Sequence, residues 1–102
     1  MGSSLKTANF LMESRMRDAA RGNVDALYDL GVTYSTGTNG MAVDLIEAHK
    51  WFNLAAVSGS SAAQDARGEI AEEMTAREIA EAQRQARAWL GITRGVGRAR
   101  AA

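Results

Sequence analysis

The chain of 102 residues has no cysteine and no proline, only two each of Trp, Tyr and Phe, and no formal net charge. Lacking cysteine, it can form neither disulfides nor thiolate metal sites, and a reducing compartment is permitted. Lacking proline, it must build its turns on glycine, which suits an all-helical chain. A balanced charge gives no bulk electrostatic argument for nucleic acid or an acidic membrane. No segment approaches the roughly 20 apolar residues of a membrane span, so no membrane is expected as a partner. The opening MGSSLKTANF has no basic segment followed by an apolar run, and Lys6 stands where myristoylation requires Ser or Thr. The cytoplasm is the expected location.

What remains is ordinary for a small globular domain: 46% apolar and 24% charged residues, with alanine abundant. The best-specified stretch runs from Gly22 to Gly59. Ala26, Leu27, Leu30, Gly31 and Tyr34 recur at the spacing of one helix face. Gly37, Asn39 and Gly40 then tolerate positive φ, which ends that helix near Thr36. A second helix opens at Asp44, and Glu47 three residues on completes a capping box. Its apolar face is Leu45, Ala48, Trp51, Phe52, Ala55 and Ala56, and Gly59 closes it. The small residues Ala26, Gly31, Ala48 and Ala55 let the two backbones approach closely.

The spacing A-x-x-x-L-G-x-x-Y-x-x-G, a glycine turn, then D-x-x-x-A-x-x-W-x-x-x-A-A-x-x-G resembles the Sel-one-like repeat, a relative of the tetratricopeptide repeats. Ala26, Leu30, Gly31, Tyr34, Gly37, Asp44, Ala48, Trp51, Ala55, Ala56 and Gly59 carry the resemblance. The turn departs from the family pattern, with one extra residue between Gly37 and Gly40 and Ala42 in place of the usual proline. The resemblance implies a stack of helix pairs acting as an interaction scaffold or adaptor, and no catalysis.

The flanks echo the central unit. A shift of 37 positions lays Ala19 on Ala56, Gly22 on Gly59, Ala26 on Ala63 and Gly31 on Gly68. A helix is predicted over 7–20, with Ala8, Met12, Met16 and Ala19 on one face. Another is predicted over 61–74, where the apolar stripe Ala63, Ala66, Ile70 and Met74 is preferred to a register that would bury Arg67. A capping box at Thr75 and Glu78 starts a last helix over 76–92, facing inward with Ile79, Ala82, Ala86, Trp89 and Leu90. The expected fold is all-α, a short right-handed α-solenoid of antiparallel helix pairs, about five helices in all. Residues 1–93 form one domain, and 94–102 a flexible basic tail.

Little in the chain suggests chemistry. His49 is the only histidine and is expected at the boundary of an apolar face, too few ligands for a metal. Asp65, Glu69, Glu72 and Glu73 read as a solvated face. Gly37-Thr38-Asn39-Gly40 lacks the lysine and strand of a phosphate loop. No cofactor is expected. The resemblance puts the first helix of the central pair on a concave surface, where Asp25, Tyr28, Asp29 and Val32 offer an apolar strip between carboxylates. Such a strip suits a peptide with basic residues. Phe10 and Leu54 fall off their helices' apolar faces, as residues packed by neighbours or as a self-association patch in a homodimer. After Glu81 there are no acids, so Arg94, Arg98 and Arg100 could meet an acidic protein surface. A nucleic-acid-associated regulator working through these arginines is the alternative and the weaker reading.

Overall fold

The computed structural model describes the backbone of residues 2–101 and the side chains of residues 7–93. It is all-α, with α1 (Gly2–Ala20), α2 (Val24–Thr36), α3 (Leu45–Val57), α4 (Ser61–Ala71) and α5 (Ala76–Ala101). Among the described residues there is no strand.

Each boundary has a local cause. Asn23, Asp44 and Ser60 hold extended backbone and accept the free amides of Ala26, Glu47 and Ala63. Thr75 and Glu78 form the full reciprocal box, at 3.1 Å and 2.8 Å. Helix α2 ends on Gly37, whose left-handed backbone lets its own amide and that of Thr38 both reach the Thr33 carbonyl. The amide of Asp44 then returns to the Tyr34 carbonyl at 2.9 Å, closing the loop against the end of α2.

Three boundaries differ from expectation. Helix α1 begins at Gly2 instead of residue 7. Helix α4 stops at Ala71, and residues 72–74 form a turn closed by amide bonds back to Glu69, Ile70 and Ala71. Helix α5 continues to Ala101, past the break expected after residue 92. A glycine inside a helix weakens it by about 1 kcal/mol without forbidding it.

Helix α3 is the hub, with α2, α4 and α5 packed around it and α1 laid on α2. The buried core is mainly small: Ala19, Ala26, Ala48, Ala55, Ala63, Ala82 and Ala86, filled by Leu27, Leu30, Trp51, Phe52 and Leu54. Helices α2 and α3 approach so closely at Gly31 that a Cβ there would collide with the Phe52 ring. On the other side, Trp51 meets Trp89 of α5 edge-on, with ring centroids 4.9 Å apart at 77°. Ala63, Ala66 and Ile70 of the expected α4 stripe pack on the core, whereas Met74 lies in the turn beyond the helix. Arg67 sits half-buried at the edge of that stripe and donates to the Asn53 side chain of α3, so it is not left unpaired. On the exposed face of α5, Arg84 grips the Glu81 carboxylate with two donors and Gln85 adds a third. Those hydrogen bonds lower the Glu81 pKa to about 2.

Candidate interaction surface

Helix α2 turns its small face inward onto Phe52 and leaves an outer strip that is only partly covered. Tyr28 and Val32 lie one turn apart on that strip and are half-buried. The Tyr28 ring leans on Phe52 with centroids 5.5 Å apart and planes at 50°, so the core fixes one side of it. Asp25 and Asp29 flank it, both exposed. Among the described residues neither carboxylate has an ion-pair partner, so the strip carries uncompensated negative charge beside an immobilised ring. The four residues expected to form a surface thus lie together on one helix.

The backbone beneath the strip is firmly held. The Thr33 hydroxyl donates to the Asp29 carbonyl at 2.9 Å and accepts from Arg15 of α1 at 3.3 Å. The Ser35 and Thr36 hydroxyls both donate to the Val32 carbonyl.

Other candidates fall elsewhere. Leu54 is only 2% exposed and belongs to the core, where it lines a cavity shared with Leu27 of α2 and Trp89 and Leu90 of α5; it is not available for self-association. Phe10 is 63% exposed on α1. His49, expected at a boundary, is 3% exposed, and its Nδ1 has no hydrogen-bond partner among the described residues. Burial, then the nearby Arg67 charge, lowers its pKa below the ordinary 6.5. Asp65, Glu69, Glu72 and Glu73 are exposed, and among the described residues no three acids or histidines converge on a metal position. The side chains of Arg94, Arg98 and Arg100 lie outside the described residues.

Two arrangements were not read from the sequence. Glu47 leaves its capping box half-made. Its carboxylate instead accepts from the buried Trp51 indole N–H at 3.0 Å and pairs with Lys50 at 3.0 Å. The Lys50 ammonium also sits 4.6 Å from the Trp51 ring centroid. The spacing of Glu47 and Trp51, one helical turn, was the available signal. Nearby, burial and then the charges of Glu47 and Asp44 raise the Tyr34 pKa above its ordinary value. The second arrangement is a groove of about 530 Å³ between α1 and the end of α2, floored by Met12, Met16, Tyr34 and Met41.

No family model, curated protein or solved structure matches the chain. No helix among the described residues is long and apolar enough to cross a membrane.

Proposed function

We propose that this protein is a non-catalytic adaptor of the Sel-one-like repeat type, working in the cytoplasm, that captures a segment of another protein on the outer strip of α2. The observation that carries this reading is the Tyr28 ring, braced on Phe52 and bracketed by the unpaired carboxylates of Asp25 and Asp29. A rigid aromatic anchor costs little entropy to dock against, and aromatic residues dominate protein-binding energetics. The flanking carboxylates select a partner with Lys or Arg on either side of an apolar residue.

Because Tyr28 is half-buried, replacing it also removes a core contact. The discriminating variant is therefore Asp25→Lys combined with Asp29→Lys, both at exposed positions. A displayed random-peptide library panned on the full chain should enrich apolar residues flanked by lysine or arginine. The charge-reversed variant should lose those peptides while keeping its helical circular dichroism. Enrichment of no class of peptide, or enrichment indifferent to the two substitutions, would rule the reading out. Peptide-independent binding of nucleic acid that weakens steeply with salt would favour the arginine segment instead.

A further inference from the structure

Three of the chain's five methionines line one groove. Met12 and Met16 sit one turn apart on α1 and rest against the core, at the spacing that brings helix side chains together. Met41 reaches the same groove from the loop that joins α2 to α3. All three are half-buried, neither sealed in the core nor free in solvent. The loop is pinned on both sides of Met41. The Met41 amide donates to the Thr38 carbonyl at 3.1 Å, and the Asp44 amide donates to the Tyr34 carbonyl at 2.9 Å. Methionine commonly fills gaps in a core, yet here a space of about 530 Å³ remains beside the three side chains. Each has three rotatable bonds, so the sulfurs can turn to one point in that space.

The donor set decides what fits. A thioether is a soft, neutral ligand, and it selects soft ions, Cu(I) foremost. Hard cations need several oxygens. Among the described residues lining the groove, Asn9, Glu13 and Tyr34 supply the only side-chain oxygens, and Arg17 shares their lip. No better soft donor competes elsewhere, since the chain has no cysteine and its one histidine, His49, is 3% exposed. We propose that Met12, Met16 and Met41 form a binding site for one soft monovalent cation, Cu(I) or its congener Ag(I), held by three thioether sulfurs. Such an ion ties α1 to the α2–α3 loop, a second link for a helix laid on α2. Binding therefore stabilises the fold. Thioethers carry no proton to displace, so binding is indifferent to pH where histidine and cysteine sites fail. The groove is separate from the Tyr28 strip and does not rest on the adaptor reading.

Silver nitrate, titrated into the full chain in chloride-free buffer, tests the site without redox chemistry. With the methionine methyl groups isotopically labelled, NMR reads each thioether separately. The signals of Met12, Met16 and Met41 should shift together and saturate at one ion per chain. Met74, in the turn after α4, should stay still. Cu(I), kept reduced by ascorbate, should move the same three signals. Met12→Leu, Met16→Leu and Met41→Leu nearly conserve volume and remove one sulfur each. Each should weaken binding by about tenfold or more, since a lost ligand costs at least as much as a lost outer-shell partner. Met74→Leu should leave binding unchanged. Should a leucine variant lose its helical circular dichroism, the selectivity of the parent spectrum still decides. No shift at millimolar silver overturns the proposal. So does a parallel shift that includes Met74, or an affinity indifferent to all three leucine substitutions.

Discussion

Asn23 and Ser60, 37 positions apart, make the same cap with the same backbone around it. Each side chain accepts the amide three residues on, at 3.0 Å from Ala26 and 3.1 Å from Ala63. The amide of Asn23 reaches the Asp18 carbonyl at 3.0 Å, as that of Ser60 reaches Ala55 at 3.0 Å. The amides of Gly22 and Gly59, both at positive φ, reach Ala19 and Ala56. Two different side chains thus complete one repeated joint between a helix and the next. The internal period read from alanines and glycines is therefore a period of hydrogen bonds as well.

If the two joints are equivalent, losing either cap should cost the same. Asn23→Ala and Ser60→Ala are each expected to destabilise by about 1 kcal/mol, while exchanging the residues as Asn23→Ser or Ser60→Asn should be nearly neutral. Urea denaturation followed by circular dichroism measures all four. A cost at one site alone would mean that the joints only look alike.

Trp51 is held from three sides: its edge contact with Trp89, its N–H to Glu47, and Lys50 above the ring. Trp51→Ala is expected to cost about 3–5 kcal/mol. Glu47→Leu leaves the buried indole N–H without an acceptor and should cost about 1–3 kcal/mol. Glu47→Gln keeps an acceptor and should cost less. Equal losses for Leu and Gln in denaturation would show that the carboxylate acts through charge and not through the hydrogen bond.

Gly31 tests the close approach of α2 and α3. Alanine is the better helix former by about 1 kcal/mol. Yet its methyl would drive into the Phe52 ring, which Tyr28 backs from beside it. The steric cost should win, so Gly31→Ala is expected to destabilise by about 1–3 kcal/mol. Combining it with Phe52→Leu should cost less than the two changes summed, because the second makes room for the first. Additive losses would deny the contact.

The fold was legible because helix signals are local. Caps at Asp44 and Thr75, the left-handed stop at Gly37, and the spacing of Ala82, Ala86 and Trp89 each act within a turn or two. What depends on a neighbouring helix was not legible. Leu54 and His49 lie outside the face that their own helix suggests, and become core only because α3 is covered by more than one helix. The end of α5 was missed because glycine marks a helix stop only where a cap replaces the lost bonds. The candidate strip on α2 was readable from spacing, but the bracing of Tyr28 by Phe52 was not, since it needs the α2–α3 crossing. The groove along α1 likewise arises between elements.

His49 gives the chain a pH dependence whose sign follows from burial. In the folded protein its pKa lies below the ordinary 6.5, because burial and then the Arg67 charge disfavour the imidazolium. The unfolded chain therefore binds a proton more readily between that lowered value and 6.5. Stability is fully present above the unfolded pKa and falls as the pH drops through it. Denaturation midpoints should decline between about pH 7.5 and about pH 5.5, a range in which most carboxylates stay ionised. Replacing the imidazole by a group of similar size that does not titrate, as in His49→Phe or His49→Gln, should flatten the decline whatever it does to stability at neutral pH. Arg67→Gln removes the repelling charge and should make the decline shallower without abolishing it, since burial is the larger cause. If the parent's midpoint is flat across this range, or declines equally in His49→Gln, the buried imidazole is not the group that titrates.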